Sequence, residues 1–208
     1  MIDIAHQLAA VHRAVSAVDS PSGEVVGVVL RRRYDAAVED VWDAVTDPGR
    51  LARWFLPISG DLRVGGAFQL DGSAGGEIQV CEAPALLQVT FGGPTSVVRL
   101  RLTGNDGATD LELEHTVPIE IAGSGAGALY VGPGWDEAFK ALALFFDGAL
   151  AEDPIAASNS VEGQEFCRGS IEAWVAVVEA SGTASAAEVA AATEAAMAQF
   201  APDLDRNV

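Results

Sequence analysis

The spacing of apolar residues along the chain changes from helical to alternating and back, and those changes outline the fold. Ile4, Leu8, Val11, Val15 and Val18 recur at intervals of three and four, which predicts an amphipathic helix over 4–18. Asp19–Gly23 (DSPSG) reads as a linker. Val25–Tyr34 is apolar and β-branched, a strand. Val38, Val41, Trp42 and Val45 then form one helical stripe. Asp47 closes that helix and Pro48 opens a second, because the residue before a proline leaves the helical region while proline suits the first helical position. Leu51, Trp54 and Phe55 give the second helix its buried side.

Alternation dominates the next stretch. Arg63–Leu70 and Glu77–Cys81 read as short strands joined through Asp71-Gly72. Leu86–Phe91 places Leu87, Val89 and Phe91 on one face. In Val97–Thr103, Val98, Leu100 and Leu102 point one way, Arg99 and Arg101 the other. Asn105-Asp106-Gly107 is a strong hairpin signal, leading to Asp110–Val117. There Leu111, Leu113, His115 and Val117 share a face opposite Glu112 and Glu114. The arginines of one strand and the glutamates of the next are expected to pair across an outer face, setting register more than stability. The result is an antiparallel sheet, apolar inside and wet outside.

From Gly134 to Leu150 the period becomes helical again, with Trp135, Phe139, Leu142 and Phe146 in one stripe. At 1.5 Å per residue such a helix extends about 25 Å, enough to cover a small sheet. After Asp153-Pro154, Phe166, Ser170, Trp174, Val177 and Val178 stripe a further helix. Ser185 with Glu188 resembles a capping box opening a last one, which carries Val189, Met197 and Phe200. The expected organisation is an N-terminal helix and linker over 1–22, an α+β domain over 23–152, and a C-terminal helical hairpin over 153–208. The hairpin is read as docked on that domain, with a homodimer contact as the alternative.

Composition narrows the function classes. The net charge of −18, with Lys140 the single lysine, argues against nucleic acid and anionic membranes, whose phosphates need concentrated Lys and Arg. Arg31-Arg32-Arg33 is the one basic run and reads as a strand end or internal pairing. No apolar run has the length of a membrane span, and the N-terminus lacks a signal-peptide pattern, so a cytoplasmic location is expected. Cys81 and Cys167 are too few for a disulfide scaffold.

Candidate chemistry is sparse. His6 and His12 are six apart and face different ways along a helix, and the scattered His and Cys residues lack zinc-ligand spacing, so no metal is expected. Gly123–Ala128 fits a dinucleotide fingerprint formally, but no βαβ unit surrounds it. It reads as a flexible loop at the helix entrance. No nucleophile signature is present, and no catalytic residue and no cofactor are assigned. His115 stands out because alternation puts its imidazole on the apolar face, where it would orient a ligand or be a core histidine satisfied by a neighbour. Glu82 shares the parity of Ile78 and Val80 and is expected on that same face.

RRRYDAAVEDVWDAVTDPGRLARWF, GDLRVGGAFQL, TDLELEHT and GPGWDEAFKALALFF resemble the SRPBCC or START-like helix-grip superfamily. Within it they are similar to bacterial relatives of the C-terminal domain of the activator of heat-shock protein 90 ATPase. The resemblance implies a sheet gripping the long helix and a cavity between them for a small hydrophobic ligand (lipid, isoprenoid or aromatic metabolite). The lining would come from Phe91, Leu100, Leu113 and His115, and from Trp135, Phe139, Leu142 and Phe146, with Trp54 at one end. It also implies two rivals: a polyketide cyclase-like enzyme with an inner acid or base, and a co-chaperone-like regulator in stress response that contacts the heat-shock ATPase.

Overall fold

The computed structural model describes residues 2–20 and 23–204. Eight strands form one sheet: β1 (His12–Ser20), β2 (Gly23–Tyr34), β3 (Ile58–Gly60), β4 (Ala67–Leu70), β5 (Gly75–Glu82), β6 (Leu86–Thr90), β7 (Val97–Asn105) and β8 (Ala108–Pro118). Their order is β1-β2-β8-β7-β6-β5-β4-β3, and every neighbouring pair from β8 through to β3 is antiparallel. The helices are α1 (Ile4–Ala9), α2 (Val38–Thr46), α3 (Pro48–Trp54), α4 (Ile119–Ala122), α5 (Gly132–Phe146), α6 (Pro154–Asn159), α7 (Val161–Ser181) and α8 (Ala186–Phe200). The fold class is therefore α+β, as expected.

Two expectations fail at the N-terminus and in the glycine loop. The helix over 4–18 ends at Ala9, and β1 begins at His12. Six residues are too few for a helix to persist on its own, and β-branched Val11 and Val15 suit a strand equally well. Pro21 and Ser22 of the expected linker lie outside the described residues. The segment read as a flexible loop contains a 3₁₀ turn over Gly125–Tyr130 with Ala126, Ala128 and Leu129 buried. Strand β3 and helix α4 had no signal in the sequence.

The chain divides into two compact units that ignore chain order. One comprises Met1–Leu30, Pro118–Lys140 and Ala151–Val208; the other Arg31–Val117 and Ala141–Leu150. In the first, Trp174 and Phe166 of α7 are fully buried. A Cβ on Gly132 would come 2.4 Å from the Trp174 ring, so only glycine fits there. Gly182, in the left-handed region, ends α7, and the Ser185–Glu188 capping box opens α8 as expected. Ala192 and Ala196 bury α8's small-residue face.

In the second unit, Asp47 caps α3 by accepting from the Arg50 amide at 2.8 Å, with Pro48 at the first position. Trp54 Nε1 donates to the Ala44 carbonyl at 2.9 Å and ties α3 to α2. Asp106 and Gly107, both at positive φ (52° and 80°), close the β7–β8 hairpin in two residues. Arg99 lies opposite Glu114 and Arg101 opposite Glu112, at 2.9 and 3.9 Å. The predicted outer-face pairing is present.

Candidate functional site

The hydrogen-bond register builds the inner face of the second unit row by row. Opposed residues in a ladder share a face, so Leu87–Leu100–Leu113 is one row and Val89–Val98–His115 the next. Leu102 and Leu111 make a third on the other side of Leu100. Ile78 extends the His115 row onto β5. A bulge between Ile78 and Val80 then changes the phase. Beyond it Cys81, not Val80, is opposite Leu87 and joins the inner row, while Glu82 is opposite Leu86. Leu86 in turn lies opposite Arg101, on the outer face. Glu82 is exposed there, which corrects its expected inward placement: one extra residue in a strand reverses every side chain after it.

His115 is 3% exposed. Its Nε2 lies 2.8 Å from the Ser96 hydroxyl, and the Phe91 ring meets it edge-on with centroids 6.1 Å apart. The Gly92–Ser96 turn makes this arrangement, because the Phe91 amide donates to the Ser96 carbonyl at 2.9 Å and returns the chain beside itself. Burial pulls the His115 pKa down to about 4, so the ring is neutral at pH 7. Ser96 was missed in the sequence. Its parity with Val98 and Leu100 was the available signal.

The burial along these rows is uneven. Val98, Leu102, Leu111 and Leu113 are buried, at 2–5% exposure, yet Leu100 between them is half-buried. Leu87 opposite it is half-buried too, and Cys81 at the end of the same row is exposed. The middle of an apolar face is thus accessible while its flanks are sealed.

The remaining expected residues fall in different places. Leu142 is buried, and Phe146 is half-buried with its ring 6.0 Å from that of Tyr34. Trp54 packs between α2 and α3 as described above. Trp135 is half-buried and Phe139 buried, both in the α5 segment of the first unit.

That first unit holds a polar centre the sequence reading did not anticipate. Asp136 is completely buried, and its Oδ2 accepts from Arg13 Nε at 2.8 Å, Ser170 at 2.5 Å and Trp174 Nε1 at 3.0 Å. Burial pushes its carboxyl upward, against Arg13, Ser170 and Trp174, which pull it down. Beside it Lys140 pairs with Glu137 at 2.5 Å and lies over the Phe166 ring. The clue was the Ser170–Trp174 spacing, which puts two donors on one face of α7. Among the described residues no three His, Cys, Asp or Glu side chains group as metal ligands. No helix there is long and apolar enough to cross a membrane.

The model of the activator of Hsp90 ATPase homolog 1-like protein family matches residues 35–147, more than half of the chain. The chain belongs to this family. The crystal structure of CalU16 from Micromonospora echinospora is 38% identical to this family member, covers 81% of it and 98% of CalU16, and has a TM-score of 0.67. Its solution NMR structure gives 0.70 over 83% and 97%. The likeness therefore extends beyond the segment the family model covers. DynU16, a protein of the dynemicin biosynthetic locus, is 28% identical over 58% of this chain and 47% of its own, with a TM-score of 0.52. An Hsp90 activator from Plasmodium falciparum, at 23% identity and a TM-score of 0.50, shares the fold. No curated protein matches the activator-like chain.

Proposed function

We propose that the protein binds a small apolar molecule non-covalently on the inner face of the sheet, over Leu87 and Leu100. The half-buried Leu100, opposite half-buried Leu87 and between sealed rows on either side, carries this reading. Apolar surface left accessible inside a folded face gains about 25 cal/mol per Å² when a ligand covers it. The neutral His115–Ser96 pair on the adjoining row supplies an orienting polar group, the usual composition of a small-molecule site. DynU16's place in a biosynthetic locus favours a small molecule over a protein client. A proton-transferring, cyclase-like reading needs a second inner acid or base. Glu82, the expected one, is on the outer face.

The test uses the neutral fluorescent probe N-phenyl-1-naphthylamine, with native mass spectrometry of the purified protein to catch a co-purifying molecule. Saturable probe binding is expected, and Leu100→Trp, which fills the accessible position, should abolish it without lowering the urea midpoint. A wild type that neither binds the probe nor carries a small molecule refutes the reading. So does a folded Leu100→Trp protein that binds as wild type does.

A further inference from the structure

The accessible row has one open end. Leu113, Leu100, Leu87 and Cys81 lie opposite one another from β8 across to β5. Their exposure rises in that order: Leu113 is 2% exposed, Leu100 and Leu87 are half-buried, and Cys81 is exposed. Strands are spaced about 4.8 Å apart, so the row extends about 14 Å across the sheet. The His115 row is sealed over the same span, with Val98, Val89 and Ile78 all buried.

The backbone makes the opening. β4 pairs with β5 over Gly75–Glu77, and the Gly65 amide donates to the Ile78 carbonyl at 2.8 Å. Both contacts precede the bulge between Ile78 and Val80. Beyond the bulge β5 continues beside β6, and Cys81 stands at the margin of the sheet. Unbroken alternation from Ile78 would turn Val80 and Glu82 inward, and an apolar body leaving the row would have to desolvate the Glu82 carboxylate. The bulge turns both outward and leaves the smaller Cys81 opposite Leu87.

We infer that the ligand is a single-headed amphiphile, whose apolar body lies along Leu113, Leu100 and Leu87 and whose bulky hydrophilic group leaves over Cys81 into water. This rests on the apolar-ligand reading above and specifies its chemical class. At the Cys81 end a polar group keeps its hydration, whereas an apolar one stays wet and gains nothing from burial. At the other end Leu113 and His115 are buried, which gives a second head group no access to water.

1-Decanol and n-decyl-β-maltoside test it, because they share one chain and differ in the head. Each is titrated against the N-phenyl-1-naphthylamine complex below its micelle concentration. Their displacement constants should agree within about tenfold, or 1.4 kcal/mol. Saturating decyl maltoside should slow the reaction of Cys81 with N-ethylmaleimide by at least about tenfold, measured by peptide mass spectrometry, because the head group covers the thiol. In Arg101→Cys the introduced thiol is on the outer face and should keep its rate. Circular dichroism establishes that the variant and the complexes are folded. Decyl maltoside that displaces the probe more weakly than this limit, while decanol displaces it, overturns the open end and leaves the apolar reading standing. Weaker protection of Cys81, equal protection of the outer-face thiol, or probe binding that neither decyl compound displaces also overturns it. A wild type that binds none of the three molecules overturns both readings.

Discussion

Protonating His115 should destabilise the protein by a measurable amount, and its size follows from burial. The imidazole is 3% exposed, and desolvation lowers its pKa from 6.5 to about 4. A folded-state pKa below the unfolded one means that the unfolded chain binds the extra proton first. Stability is therefore intact above pH 6.5 and falls as the pH drops toward 4. At 1.36 kcal/mol per pKa unit the full loss is about 3.4 kcal/mol, of which about 2.5 has occurred by pH 4.5. Many carboxylates titrate in the same range, so the quantity to measure is a difference. Urea unfolding of wild type and His115→Gln at pH 7.5 and pH 4.5 isolates it, because the glutamine does not titrate while all other groups cancel. The stability of wild type relative to the variant should decrease by about 2.5 kcal/mol between the two conditions. A relative stability that stays constant would mean that the imidazole titrates as in water, and the burial argument would be wrong.

Asp136→Ala should cost about 3–5 kcal/mol in urea unfolding, since it strands Arg13, whose side chain is 6% exposed, as a buried charge. Arg13→Met combined with Asp136→Leu should recover most of that loss; a double variant as unstable as the two single losses added would refute the pairing argument. Thiol titration should find Cys81 reactive in the native protein and Cys167 reactive only after unfolding. Cys167 is buried with its thiol pushed up to about 12, so native labelling of both cysteines would contradict the packing of α7.

Much of the sheet was legible from its residues, because a strand's facing and its neighbour's charge depend on local period. Val98, Leu100 and Leu102 alternate with Arg99 and Arg101, and the Asn105-Asp106-Gly107 turn sets their register against Leu111–Glu114. His115 was readable for the same reason. The site's other polar groups were not. Glu82 and Cys81 exchange faces through a bulge, a backbone event that no side-chain pattern announces. Arg32 sits in a basic run whose neighbours Arg31 and Arg33 pair outward with Glu112 and Asp110, while strand alternation turns it to the other face, where it is buried.

The sequence by itself determined the element types wherever the period was long and unambiguous: the α2–α3 pair around Asp47-Pro48, the β7–β8 hairpin, α5, and the capped α8. Tertiary structure decided the cases in which two local states were nearly equal in free energy. Residues 11–18 carry valines that satisfy either period, and strand pairing chose β1. Arg13 was thereby placed against Asp136, whose completely buried carboxylate is held by donors from β1 and α7. The half-open row at Leu100 is likewise a property of packing: its residues are as apolar as the sealed rows beside it, and what distinguishes them is how far the fold leaves them uncovered.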